Sequence, residues 1–386
     1  MEMRNCWKQI LRRVLSYVLV AALASVATLF IAGENGYGKL GQLYGVIQTK
    51  YIGSTEKDAL LDAAADAMVE AVGDRWSYYM SAEEYTAYTE RKSNTYVGVG
   101  ITVRDREDGN GYDIITVEAE GPAAKAGILP GDILTAVDGQ PAGEIDVTAA
   151  IRGEPGTEVA FSILRGESTY NFTVQRATIA KVIASGQMLP GKIGLVTIKN
   201  FNSECCNQAK AAVEDLVEQG AQSLIFDVRN NPGGYLSELT ELLDYLLPEG
   251  VLLKSVEYTG LESEDKSDAA CVELPMAVLI NANSYSAAEF FAAALSEYDW
   301  AVVVGERTTG KGYYQRVYTL SDGSAVNLSV GKYFTPKGVS LVDTDGLAPD
   351  VEVLLDTETA KRLSAKTLPP QEDPQVQAAV LALQEG

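Results

Sequence analysis

Ser223-Leu224-Ile225-Phe226-Asp227-Val228 runs into Arg229-Asn230-Asn231-Pro232-Gly233-Gly234, and residues 235–247 then carry Leu236, Leu239, Leu242, Leu243 and Leu246 at helical spacing. No other stretch narrows the choice of fold as far. An apolar run without alternation belongs to a strand covered on both faces, as in a parallel sheet layered by helices. The glycine turn that follows presents backbone N–H groups at the carboxyl edge of the sheet, where ligands collect in open α/β folds. A second unit of the same kind begins at Ala277-Val278-Leu279-Ile280, passes through Asn283-Ser284-Tyr285-Ser286, and continues into a helical pattern over 287–295. Further strands are expected within 193–198, 301–304, 325–330 and 351–354, a helix over 206–219, and a polar, acidic loop over 261–268.

The chain contains no histidine, which excludes any Ser-His-Asp or Cys-His mechanism. A serine hydrolase built on these residues must use lysine. The net charge of −22 argues against nucleic acid, because phosphate binding needs clustered Lys and Arg. Cys6, Cys205, Cys206 and Cys271 show no metal-ligand spacing, so neither a zinc site nor a disulfide framework is expected, and no cofactor is implied.

Residues 14–33 form an uncharged run preceded by Arg4, Lys8, Arg12 and Arg13. At about 1.5 Å per residue it spans a bilayer as a helix, and the basic flank keeps residues 1–13 cytoplasmic. The rival is a cleaved signal peptide, since Ala22-Leu23-Ala24 has the small-x-small pattern; the apolar run continuing through Leu29, Phe30 and Ile31 favours the anchor. Either reading puts everything beyond Gly33 outside the cytoplasm.

Residues 34–93 read as a small helical domain, with Leu61, Ala65, Met68 and Val72 on one face. Near Tyr96 the period changes to two. Val99, Ile101 and Val103 alternate, Asp108-Gly109 marks a turn, and Ile114, Ile115 and Val117 form the return strand. Gly121-Pro122-Ala123-Ala124-Lys125-Ala126-Gly127 is a short capped helix, and Gly131-Asp132-Ile133-Leu134 starts a strand. With Gly98-Val99-Gly100-Ile101 ahead of the first strand, residues 94–178 resemble a PDZ domain. The resemblance implies that Gly98, Val99, Gly100 and Ile101 receive a peptide's terminal carboxylate, while the adjacent strand edge accepts the peptide as an added strand.

Ser286-x-x-Glu289 is a capping box, which by itself makes Ser286 a helix cap. A nucleophile at a helix start also places a neighbouring N–H where an oxyanion forms, so Ala287 is a candidate donor, with Gly233 or Gly234 as the second. Lys311, between Gly310 and Gly312, reads by itself as a loop lysine. At its ordinary pKa of ~10.4 it would be almost wholly protonated at neutral pH, so a base at this position must be buried and neutral. Gln315 is placed to accept a hydrogen bond from that amine without adding negative charge.

The Asn283–Glu289 motif, Gly310-Lys311-Gly312 with Gln315, the Asp227–Gly234 turn, Tyr333-Phe334-Thr335-Pro336-x-Gly338 and Gly346-Leu347-Ala348-Pro349-Asp350 together resemble the carboxyl-terminal processing peptidases, or tail-specific proteases. In that family serine and lysine stand twenty-five residues apart, the interval between Ser286 and Lys311. The resemblance implies an α/β multidomain protein. Its crotonase-like or ClpP-like protease core (179–358) would carry an inserted PDZ domain and helical N- and C-terminal segments, with 359–386 as linker and last helix. It further implies a serine endopeptidase with a Ser286–Lys311 dyad oriented by Gln315, acting through an acyl-enzyme on substrate C-terminal tails, and a homodimer. Tyr285 stands where the family prefers a small residue, and Glu297 where some members carry an aspartate; no catalytic role is assigned to Glu297. The alternative reading is a non-catalytic PDZ peptide-binding scaffold at the cell envelope. A weaker third is an α/β-hydrolase or crotonase-like acyl enzyme, against which the missing histidine and the PDZ pattern both count.

Overall fold

The computed structural model describes residues 16–20 and 37–385, and the chain forms two compact units, Met1–Tyr79 and Met80–Gly386. The anchor or signal expected at 14–33 lies outside the described residues except for helical residues 16–20. Among the described residues no helix is long and apolar enough to cross a membrane.

In the first unit, helices Tyr37–Lys50 and Lys57–Glu70 lead to a turn at Asp74, whose carboxylate accepts from Ser77 Oγ at 2.5 Å and Trp76 N–H at 3.2 Å. The expected apolar stripe is present but uncovered: Leu61 is 46% exposed and Met68 55%. The expected helical region 34–93 is divided, because helix Ala82–Lys92 belongs to the second unit.

In the second unit, an antiparallel stem of Thr95–Gly98 and Ala177–Ala180 leads into and out of the PDZ-like sheet. That sheet orders Ile101–Asp105, Tyr112–Val117, Ile133–Val137, Glu158–Arg165 and Ser168–Gln175, with Gln140–Pro141 paired to the middle strand. Its inward residues include Ile114, Leu134, Phe161 and Ile163. Ile101–Asp105 is an edge strand, so one side of its backbone ladder is open to an added strand.

The larger core is a six-stranded sheet ordered Ala184–Leu189, Ile193–Ile198, Ser223–Asp227, Met276–Ile280, Ala301–Gly305 and Val351–Glu352; the first pair is antiparallel and the rest parallel. Helices Cys205–Glu218, Leu236–Leu246 and Ala287–Glu297 bury one face, with the Phe291 ring in contact with both Phe201 and Phe226. The opposite face packs against Pro374–Glu385 through Val376 and Ala379.

A separate antiparallel group joins Tyr313–Thr319 to Ala325–Phe334, then Gly250–Glu257, then Glu262–Ser267. The acidic loop expected over 261–268 is thus largely a strand. Its pairing with Gly250–Glu257 rests on backbone hydrogen bonds, and the polar run Glu262-Ser263-Glu264-Asp265-Lys266-Ser267 leaves no apolar alternation to read.

Candidate active site

The paired strands Ser223–Asp227 and Met276–Ile280 end in turns that are laced together. Asn230 N–H donates to Asn281 Oδ1 at 3.0 Å, while the amides of Asn281 and Asn283 donate to Asn230 Oδ1 at 3.1 and 3.0 Å. Below them, buried Ser284 donates to the Val228 carbonyl at 2.8 Å and accepts from Asn281 N–H at 3.0 Å. This lacing holds Ser286 at φ 59°, ψ −125°, a left-handed conformation that costs a non-glycine residue about 1–3 kcal/mol and persists only where its surroundings over-determine it. Nine buried residues, Ala287 to Leu295, follow in the helix. Ser286 therefore sits half-buried on a strand-to-helix elbow.

The capping box is made on its glutamate side: Glu289 accepts the Ser286 N–H at 2.8 Å. The Glu289 N–H goes to the Ser286 carbonyl at 2.9 Å, and the Ser286 hydroxyl makes no capping hydrogen bond.

Glu289 does more than cap. Fully buried, it also accepts from Thr308 Oγ1 at 2.5 Å, Gly310 N–H at 2.7 Å and Lys311 N–H at 2.8 Å. One carboxylate thus ties the backbone of the serine elbow to the backbone of the lysine loop. The loop is pinned elsewhere too: Thr309 Oγ1 donates to the Ala282 carbonyl at 2.7 Å, and Leu347 N–H donates to Thr308 Oγ1 at 2.8 Å. Sequence reasoning reads Glu289 as a cap and misses this reach, because the motif shows only the local half of the network.

Lys311 is half-buried, and its Nζ lies 5.8 Å from the centroid of the Tyr285 ring, beside Ser286. Tyr285, the bulky departure at this position, is thus a wall of the lysine's site. Gln315 follows a bulge between Tyr314 and Gln315, and its amide nitrogen donates to the Tyr313 carbonyl at 3.0 Å and Ser329 Oγ at 3.1 Å. Those bonds leave its carbonyl oxygen as the group to meet an amine. A cavity of about 400 Å³ adjoins Gln315, lined by Leu236, Tyr314 and Tyr333 and by Glu257, which pairs with Arg316 at 2.6 Å.

The glycine turn meets the elbow directly. A methyl at Gly233, φ 78°, would fall 2.8 Å from both Ser286 Cβ and the Tyr285 carbonyl and 2.9 Å from Ala287 N. Gly234 lies so close to the Phe201 backbone that a Cβ there would overlap it. The Gly233 N–H is committed to Asn231 Oδ1 at 2.8 Å, which leaves Ala287 N–H and Gly234 N–H as the donors less bound by their surroundings. Gly98, Val99, Gly100 and Ile101 belong to the PDZ-like part: Gly98 ends the stem, Ile101 starts the edge strand, and Val99 and Gly100 accept from Ala123 and Glu118 N–H at 2.9 and 2.8 Å. Glu297, left without a catalytic role, accepts from Thr335 Oγ1 and Lys337 N–H, both at 2.6 Å, and so anchors the 333–338 segment.

Residues 192–353 match peptidase family S41, residues 114–165 a PDZ domain, and residues 23–84 the activating protease CtpB N-terminal domain. The chain is 31% identical over 358 residues to the carboxy-terminal processing protease CtpA of Bacillus subtilis, covering 88% of this chain and 76% of that one. It is 29% identical over 375 residues to a probable CtpA-like serine protease of Staphylococcus epidermidis, covering 92% and 74%. A solved structure of a putative S41 protease from Bacteroides fragilis shares the fold, with a TM-score of 0.51 at 18% identity over 87% of this chain and 92% of that one.

Proposed function

Because this chain belongs to peptidase family S41, with the PDZ-containing carboxy-terminal processing serine proteases, we propose that it cleaves substrate tails by a Ser286–Lys311 mechanism. The observation that carries this reading is the shared carboxylate of Glu289, which sets the nucleophile's elbow and the lysine loop in one frame. In the first step neutral Lys311 takes the proton of Ser286 Oγ as that oxygen attacks the scissile carbonyl. The oxyanion forms against Ala287 N–H and the Gly233-Gly234 turn, with Gly234 N–H as the second donor. The Lys311 ammonium then protonates the departing amine, the C–N bond breaks, and an ester to Ser286 remains. Water attacks that ester, giving one proton to Lys311; Lys311 returns it to Ser286 Oγ as the ester C–O bond breaks, and the released carboxylic acid ionises to solvent.

Bound substrate completes the burial of the half-exposed lysine, favouring the neutral amine. Gln315 turns its carbonyl oxygen to that amine and directs it. The cavity beside Gln315 receives substrate side chains, and the edge strand Ile101–Asp105, with Gly98 to Ile101 at its start, captures the tail. The 14–33 run tethers the protein to the membrane with the catalytic unit outside, and the uncovered Leu61–Met68 stripe pairs two copies. Ser286→Ala and, separately, Lys311→Ala abolish cleavage of a denatured protein substrate; undiminished cleavage by either variant sinks the assignment.

A further inference from the structure

The glycine turn at the serine elbow is backed by a short segment, Asn200–Ser203, whose own support comes from the root of the PDZ-like part. Phe201 N–H donates to the Gly233 carbonyl at 2.9 Å and the Phe201 carbonyl accepts from Tyr235 N–H at 2.7 Å, so Phe201 brackets Gly234. Behind Phe201, Asn94 is 3% exposed and held at φ 51° between helix Ala82–Lys92 and the two-stranded stem. Its amide donates to Asn200 Oδ1 and to the Ser203 carbonyl, both at 2.9 Å, and its Oδ1 accepts from Asn200 Nδ2 at 3.2 Å. Asn200 Oδ1 in turn accepts from Asn202 N–H at 2.9 Å.

Lys92 closes the arrangement. Its ammonium donates to Asn202 Oδ1 at 3.0 Å and lies 5.2 Å from the ring centroid of Tyr235, the residue after Gly234, and 5.7 Å from that of Tyr88. A cation desolvated between two aromatic faces is attracted to both. The same burial draws the Lys92 amine below its ordinary value. No motif in the sequence singles out Lys92, Asn94, Asn200 or Asn202.

We infer that Lys92 and Asn94 are positioning residues: acting through Asn202 and Asn200, they hold Phe201 against Gly233-Gly234 and so set the oxyanion donors relative to Ser286. This rests on the Ser286–Lys311 reading. A donor displaced by a few tenths of an ångström weakens the transition state while ground-state binding is little changed, so the loss falls on kcat.

The test uses the full-length protein and a chromogenic ester of a short peptide, with rates normalised to the burst that counts functional serines. Lys92→Met and Asn202→Ala are each expected to lower kcat about tenfold with KM within about twofold, and the double variant to be no worse than either single one. Asn202→Asp, which keeps an oxygen for the ammonium, recovers most of the loss, and Asn94→Ala behaves like Lys92→Met. Unchanged kcat per functional serine in Lys92→Met and Asn94→Ala, or losses that multiply in the double variant, would overturn the inference. If Ser286→Ala itself turns over the ester, the serine reading fails instead.

Discussion

Replacing Glu289 by alanine leaves four donors, the N–H groups of Ser286, Gly310 and Lys311 and the Thr308 hydroxyl, facing a space that no other side chain fills. Buried donors without acceptors cost about 1–3 kcal/mol each, though relaxation and entering water reduce the sum. Glu289→Ala is therefore expected to lose about 3–4 kcal/mol in urea unfolding and at least a hundredfold in kcat. Glu289→Gln, of the same shape, keeps one acceptor oxygen and turns an NH₂ toward N–H donors, so it recovers packing but little activity. A Glu289→Ala protein with parental stability and rate would remove Glu289 from this role. At this scale the Ser286-x-x-Glu289 spacing announced the elbow. The reach to residues 308–311 was not legible, because it exists only once Ala301–Gly305 lies beside Met276–Ile280.

Among elements, the buried parallel strands were the most legible, since continuous apolar runs admit few other placements. Strand Tyr313–Thr319, which carries Gln315, and strand Glu262–Ser267 were not: both are largely polar and half-exposed, and each is held by backbone pairing in a hairpin, with Ala325–Phe334 and Gly250–Glu257, which leaves no apolar alternation to read. The PDZ-like sheet carries a largely enclosed ion pair that a sequence pattern does not reveal. Asp132, nearly enclosed, takes Arg165 Nε at 2.7 Å and Nη2 at 2.8 Å and the Leu129 N–H at 2.9 Å. Burial pushes the Asp132 carboxyl up, but Arg165 and the Leu129 N–H outweigh it and hold it below the ordinary carboxylate value. A depressed folded value means that the stabilisation is present above the unfolded pKa, about 3.9, and is lost as pH falls through the lower folded value. Asp132→Asn is accordingly expected to destabilise this part by about 2 kcal/mol at pH 7, a figure reduced for the partial exposure of Arg165. The difference shrinks toward zero in strong acid, once the pH has fallen through the lowered folded value. Thermal unfolding at pH 7 and in strong acid checks it, and an equal deficit at both would exclude the ion pair as the cause.

Across the whole catalytic unit, the segment read as a linker and last helix is structural. Arg229, at the end of the central strand, pairs with Asp227 at 2.6 Å and with Asp373 at 2.8 Å, and donates to Gln375 Oε1 at 2.8 Å; Arg229 and Asp373 side chains are both 3% exposed. Burial opposes the Arg229 charge, and the two aspartates more than offset it. Helix Pro374–Glu385 is thereby locked over the sheet's second face. Asp373→Ala leaves part of a buried cation uncompensated and is expected to cost about 3 kcal/mol, a lower melting temperature by several degrees. Activity per folded molecule at 25 °C stays parental, because the helix lies on the face away from the one that helix Ala287–Glu297 buries. A melting temperature unchanged by Asp373→Ala would show that the helix is held by apolar packing without the ion pair.

The sequence by itself determined the family and the main layers: the peptidase motifs, a serine at a strand-to-helix elbow, a lysine on a glycine-flanked loop, and strands too apolar to have an uncovered face. Local pattern suffices there, because those features are set by residue type and short-range geometry. Tertiary structure decided which carboxylate joins the two halves of the site, what stands behind the glycine turn, and which helix covers the second face. Each of those is a hydrogen bond or burial between residues distant in the chain, and such a partner has no signature until the sheet has brought both ends together.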